Sequence, residues 1–256
     1  MNPATALLPG SILTVALGLA VASASSADAP PVPPPTPSPK GEHPAAAAPI
    51  FDLKALGHDR YQIDRIVVDK KARRFTVPGH VAHVGDAPLE YIAVVTGSMK
   101  AYEALLEVDA TGSEFNLACI LIGLEATNRS KPQFQFDRHP ADGPAVSIAV
   151  TWQDGGRSRR VGADEALMSE AERAKQPASQ FVYIGSFTMG PQQRFAADGA
   201  GTLVGLVHDP NSVIEHRDGL GIGAYGSVRG NAGALPPIGG AVELVVSAIA
   251  APSPRR

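Results

Sequence analysis

The sequence has 256 residues, of which 44% are hydrophobic and 18% are charged, and its formal net charge is -3. Without a basic excess to neutralise phosphates, this composition argues against nucleic acid as a partner. Because Cys119 is the single cysteine, an internal disulfide, a CxxC redox pair and a cysteine-ligated iron–sulfur or zinc site are excluded.

Residues 1–27 have the form of a signal peptide. An apolar run at residues 12–22 is followed by small-x-small cleavage patterns at residues 22–24 and 25–27. The run is too short to favour a permanent membrane span. Because residues 1–11 contain no Lys or Arg, an uncleaved anchor is the alternative, and it would be the chain's only membrane contact. In both cases we expect a secreted or periplasmic protein of the cell envelope.

The segment 28–61 is predicted to be a disordered, proline-rich tether. Nine prolines between residues 29 and 49 disfavour helix and strand and favour extended polyproline II structure. The tether is expected to hold a single globular domain, residues 62–250, away from a membrane or wall. Residues 251–256 are predicted to be a disordered tail.

Short segments rich in β-branched and aromatic residues dominate the predicted domain. Turn-forming residues separate them, including Pro78-Gly79 and Asp209-Pro210-Asn211. The predicted strands are Ile63–Val68, Arg74–Val77, Tyr91–Val95, Ala104–Val108, Val146–Trp152, Phe181–Ser186, Thr202–Val207 and Val242–Ser247.

Two helices complete the predicted fold. The first begins at Ser113 as N-cap and runs to about Glu125, and the second spans about Asp164 to Lys175 before Pro177. The fold class that follows is α+β, mostly antiparallel sheet with about two helices, in one domain. The strands and helices do not alternate, which disfavours a Rossmann-type fold.

Several stretches in a fixed order resemble one known family. They include LEYIAVVTGSMKAYEALLEV at residues 89–108, FVYIGSFTMG at 181–190 and DGAGTLVGLVHDPNSVI at 198–214. The chain resembles the YdjY domain, a family of bacterial envelope-associated proteins, over nearly all of residues 62–248. The resemblance implies one domain in a secreted or periplasmic setting and supplies no reaction.

The polar set within the first of these stretches is the leading site candidate: Glu90, Lys100, Tyr102 and Glu103. Glu90 starts one apolar strand and Glu103 starts the next, with Lys100 in the turn between them. Such an arrangement can bind a polar ligand or the terminus of a partner protein. The alternative is an exposed hairpin with a cross-strand ion pair.

The histidines are the second candidate. His80 and His83 form an HxxH pattern, but residues three apart on a strand point to opposite faces and cannot chelate together without a bulge. A His/carboxylate metal site assembled from separate loops is the remaining arrangement, against the alternative of surface histidines in turns. Its ligands would come from His208, Asp209, His216 and Asp218.

Three further motifs are interpreted as structural. Gly221–Gly226 matches GxGxxG, but the glycine-rich residues that follow cannot start the helix that a dinucleotide site needs. Ser98 and Lys100 would form a catalytic dyad only with a desolvated lysine of lowered pKa, and a solvated turn is the preferred interpretation. Cys119 lies in an apolar run and is expected to pack as a small hydrophobe.

These patterns predict a non-catalytic envelope domain that binds an unknown partner protein or a small polar ligand, without a cofactor. The alternative is a metal-dependent or hydrolytic envelope enzyme with a site built from loops bearing His80, His208, Asp209 and His216. The sequence leaves open whether any catalysis occurs.

Overall fold

The computed structural model describes residues 51–126, 132–169, 180–219 and 226–250. Of these residues, 42% lie in strands and 12% in helices. The predicted signal peptide, most of the tether, residues 221–225 of the glycine-rich motif and the predicted tail lie outside the described ranges. Within those ranges, no helix has the length and apolar character needed to cross a membrane.

The described residues form sixteen strands and three short α-helices, with one turn of 3-10 helix at Ala101–Glu103. The strands are β1 Leu53–Gly57, β2 Arg60–Ile63, β3 Ile66–Asp69, β4 Arg74–Val81, β5 Tyr91–Val95, β6 Ala104–Val108, β7 Ala145–Asp154, β8 Arg157–Gly162, β9 Leu167–Ser169, β10 Phe181–Tyr183, β11 Thr188–Met189, β12 Arg194–Phe195, β13 Thr202–Gly205, β14 Ile214–His216, β15 Val228–Gly230 and β16 Ala241–Ala248. The helices are α1 Gly112–Leu121, α2 Ala163–Ala166 and α3 Ala196–Ala200.

Eight of the strands close a barrel in the order β4-β16-β7-β10-β14-β13-β5-β6, and β6 pairs back onto β4. The barrel is mixed, because β5–β6 and β13–β14 are parallel and the other pairs are antiparallel. The predicted α+β class with a mostly antiparallel sheet is therefore wrong. Most of the predicted strands exist, but their local patterns do not encode which distant strands pair or that the sheet closes.

Closure depends on a close approach between β4 and β6. The first half of β4 pairs with β3, and its second half pairs with β6. Pro78-Gly79 therefore lies inside a strand and not in the predicted turn. A Cβ atom on Gly79 would lie 2.2 Å from the carbonyl oxygen of Glu107, so only glycine permits this pairing.

Helix α1 confirms the first predicted helix, although it ends at Leu121. Its N-cap is Thr111 and not Ser113: the Thr111 side chain accepts the Glu114 amide, and the Glu114 carboxylate accepts the Thr111 amide. This capping box satisfies two amides that the helix leaves unpaired.

Helix α1 packs its buried face against the barrel. Phe115 packs edge-on against Phe75 of β4, with ring centroids 5.1 Å apart. Cys119 is fully buried in the core, and burial raises the pKa of its thiol.

The second predicted helix is interrupted by a strand in its described part. Ala163–Ala166 are helical, but Leu167–Ser169 form β9, which pairs with β15. Pairing with a distant strand outweighs the amphipathic pattern, because intrinsic helix propensity is weak. Residues 170–175 of the predicted helix lie outside the described ranges.

The close approach at Gly79 predicts a large effect of one added methyl group. Gly79→Ala forces β4 away from β6 and is expected to lower the free energy of unfolding by about 2–3 kcal/mol. Gly199→Ala is the matched control, because nothing lies within 4 Å of a Cβ atom at that position. Chemical denaturation measures both changes. Equal stability of the two variants would contradict the closure described here.

Candidate functional site

The two parallel strand pairs are each joined by an unusually short connection. The first return segment, residues 96–103, links β5 to β6, and the second, residues 206–213, links β13 to β14. Parallel neighbours ordinarily need a connection of about a dozen residues or more. The first segment returns over the length of β5, because Ala104 pairs with Tyr91. The second leaves β13 at Gly205 and returns beside its end, because Ile214 pairs with Val204.

A cleft of about 750 Å³ is lined by both return segments. Its polar side chains include those of two candidates predicted from the sequence, Glu90 and Lys100. The other polar residues that line it are Thr96, Ser98, Gln135, Asp198, Thr202, His208, Asp209 and Asn211, together with Tyr91.

Parallel pairing places Glu90 beside Glu103. Tyr91 and Ala104 are partners in the β5–β6 register, so the residues before them meet, and the Glu90 amide donates to the Glu103 carbonyl at 2.8 Å. The alternative of an exposed hairpin is therefore wrong, because β5 and β6 are parallel, but the two glutamates do lie together. Both are largely buried, 9% and 8% exposed.

Lys100 is held by the second of these glutamates. Its Nζ lies 2.5 Å from Glu103 Oε1 and 5.6 Å from the centre of the Tyr91 ring. Burial lowers the pKa of Lys100, but the hydrogen bond and the charge of Glu103 outweigh that effect, so the pKa is raised. The lysine therefore stays a cation whose charge is balanced inside the protein.

Glu90 and Asp209 accept neutral donors on the cleft wall. Gln135 Nε2 donates to Glu90 Oε1 at 3.1 Å, and the Tyr91 hydroxyl donates to Asp209 Oδ2 at 3.1 Å. Burial and the Asp209 carboxylate raise the pKa of Tyr91, which keeps its hydroxyl protonated as the donor. The backbone and side-chain amides of Asn211 donate to the other Asp209 oxygen.

A buried His–Glu pair holds the second return segment in place. Glu215 of β14 is fully buried, and its Oε2 lies 3.0 Å from Nδ1 of His208, which is 2% exposed. Its other oxygen accepts the Asp209 amide at 2.8 Å. Burial raises the pKa of Glu215, opposed by the hydrogen bond and charge of His208. Glu215 therefore holds Asp209 in position, and the Asp209 carboxylate lines the cleft.

The remaining predicted residues lie elsewhere. Tyr102 is 65% exposed and does not line the cleft. His80 pairs with Glu107 at 3.2 Å, and His216 packs edge-on against Phe181 at 5.5 Å. His83 is half-buried and Asp218 is exposed. In the part of the chain that the structure describes, no group of three or more His, Cys, Asp or Glu side chains is placed to hold a metal ion.

Neither serine near the cleft is arranged as a nucleophile. Ser98 Oγ donates to the Ala200 carbonyl, and Lys100 Nζ is bound to Glu103, so the two do not form a dyad. The raised pKa of Lys100 is also opposite to what a lysine base requires. Ser212 Oγ and His208 Nε2 are both buried and lack a hydrogen-bond partner, so they do not bond to each other.

Sequence reasoning missed several residues of the cleft. Tyr91, Gln135 and Thr202 are ordinary strand or loop residues in the sequence, and only tertiary structure brings them to the cleft. The position of Glu215 could have been noticed from the sequence. It directly follows the apolar pair Val213-Ile214, and a glutamate in an apolar strand is expected to be buried with a partner.

The matched family model extends over almost the whole described domain. The model of the YdjY domain matches residues 66–247, from the start of β3 to Ser247 within β16. The chain belongs to the YdjY domain family. No curated protein and no solved structure matches it. The family resemblance read from the sequence is thus confirmed. In this YdjY domain, the cleft and both return segments lie inside the matched residues.

The Lys100–Glu103 pair predicts a change in a titration. Glu103→Gln removes the charge that outweighs burial and should lower the pKa of Lys100. Since folding raises this pKa, the lysine's stabilising contribution is present below its unfolded pKa and is lost as pH rises through the folded value. The Lys100 ¹³Cε shift followed against pH measures the change. An unaltered titration would show that Glu103 does not set this pKa.

The His208–Glu215 pair predicts a loss of stability. The Glu215 carboxylate is the hydrogen-bond partner of both His208 Nδ1 and the Asp209 amide. Glu215→Ala leaves both groups without that partner and should lower the free energy of unfolding by about 3 kcal/mol. Glu243→Ala, at an exposed residue of β16, should change it by less than about 0.5 kcal/mol. Similar values for the two variants in denaturant unfolding would contradict the structural role of the pair.

Proposed function

We propose that this YdjY domain is a non-catalytic binding module of the cell envelope, which captures a polar ligand or a polar part of a partner protein in the cleft between its return segments. The observation that carries the proposal is the cleft itself. Two of its carboxylates, Glu90 and Asp209, are fixed by hydrogen bonds to Gln135, Tyr91 and Asn211. Fixed polar groups in a concave site lose little entropy on binding a ligand.

The reactive groups around the cleft favour binding over catalysis. Lys100 is neutralised by Glu103, the Tyr91 hydroxyl is bound to Asp209, and Nδ1 of His208 is bound to Glu215. A general base or nucleophile needs a free, reachable atom with a pKa suited to proton transfer. These groups instead hold one another in place.

Exposed apolar side chains adjoin the cleft. Met99, which lines it, is 92% exposed, and Phe134, next to Gln135, is 59% exposed. Apolar residues beside a polar recess resemble the anatomy of a binding surface, where they supply contact area and the polar groups fix orientation. Export through the N-terminal leader and display on the proline-rich segment remain part of the proposal.

Photo-crosslinking in the native cells tests the proposal. A photoreactive amino acid in place of Met99 should form a discrete adduct, because Met99 projects at the edge of the cleft. The Glu90→Gln/Glu103→Gln double variant should reduce the adduct about tenfold, which corresponds to about 1.4 kcal/mol of binding free energy.

The same photoreactive residue in place of Ile238 is the matched control, since Ile238 is 62% exposed and lies outside the cleft lining. An adduct at position 99 that depends on the glutamates supports the proposal. Equal adducts at both positions, or none at position 99, would contradict it.

A further inference from the structure

We infer that the cleft selects ligands that carry a protonated amine. This inference rests on the proposed function and names the chemical class of its ligand. It depends on two independent features: the charge left uncompensated on the cleft wall, and two buried polar atoms that lack a partner.

The uncompensated charge is negative. Lys100 is the cationic residue that lines the cleft within the described ranges, and Glu103 already balances its charge at 2.5 Å. Glu90 and Asp209 accept hydrogen bonds from neutral donors and form no ion pair with any described cation. A cleft whose net charge has one sign attracts ligands of the opposite sign.

The unpartnered atoms belong to two residues that line the cleft. Thr202 is fully buried, and its Oγ1 has no hydrogen-bond partner; His208 is 2% exposed, and its Nε2 has none either. Buried polar groups are ordinarily hydrogen-bonded, so each of these two atoms lacks an expected partner, which the described part of the protein does not itself supply.

The oxygens on the cleft wall can accept hydrogen bonds. They are the carboxylate oxygens of Glu90 and Asp209 and the Thr202 hydroxyl. An ammonium group has three N–H donors and no acceptor, and it complements this set.

Three probes of nearly equal shape and different charge test the inference on the full chain. Benzylamine, benzyl alcohol and benzoate are titrated at low salt while the backbone amide shifts of Gly97, Ser98 and Gly201 are followed by NMR. These glycines and the serine line the cleft. Benzylamine should bind at least about tenfold more tightly than benzyl alcohol, and benzoate should bind least.

Charge-neutral variants locate the selection. Glu90→Gln/Asp209→Asn keeps a carbonyl acceptor at each position and should weaken benzylamine binding about tenfold, and raised salt should weaken it in the unaltered protein. Glu243→Gln, an exposed carboxylate of β16 outside this cleft, is the control and should leave the affinity unchanged.

A peptide pair distinguishes the source of the amine. Tri-alanine amide with a free amino terminus is compared with its N-acetylated form. Tighter binding of the free peptide than of benzylamine assigns the site to peptide or protein amines, and the reverse assigns it to small amines; both outcomes support the inference.

The outcomes also separate this inference from the proposed function. Preference for benzyl alcohol or benzoate, equal affinity for all three probes, or binding of none overturns amine selection. Crosslinking from position 99 decides independently whether the cleft binds anything. Benzylamine binding that the double variant leaves unchanged also overturns the inference.

Discussion

The backbone of Glu90 joins the two halves of the cleft. Its amide donates to the Glu103 carbonyl, and its carbonyl accepts the amides of Leu206 and Val207 at 2.8 and 3.3 Å. One residue thus fixes the end of the first return segment against the start of the second. The geometry of the cleft follows from these bonds.

The electrostatics of the cleft follow from the same pairing. The backbones of Glu90 and Glu103 meet, both residues are buried, and Lys100 balances the charge of Glu103. The second segment contributes Asp209, which the buried His208–Glu215 pair fixes through the Asp209 amide. Carboxylates fixed by a rigid barrel keep their positions without a ligand, which is the condition for selective binding of an amine.

The sequence predicted local structure better than long-range pairing. β5 and β6 have the predicted ends, and Glu90, Lys100 and Glu103 do cluster. Sequence pattern could not show that these strands run parallel, because an eight-residue connection ordinarily indicates a hairpin. The sequence likewise predicts a turn at Pro78-Gly79, because Pro-Gly is a local turn signal. The close contact of Gly79 is with Glu107 on another strand, which the local pattern does not show. The sequence predicts Asp209 as a turn residue or a metal ligand and not as a partner of Tyr91, because the two residues lie 118 positions apart.

NMR can test the parallel pairing of β5 with β6 most directly. The quantity to measure is the scalar coupling from the Glu90 amide nitrogen to the Glu103 carbonyl carbon across their hydrogen bond. Parallel pairing of β5 with β6 predicts that this coupling is observed, together with contacts between Tyr91 and Ala104. Absence of the coupling, with close Hα–Hα contacts typical of antiparallel pairing between β5 and β6, would contradict the arrangement on which the cleft depends.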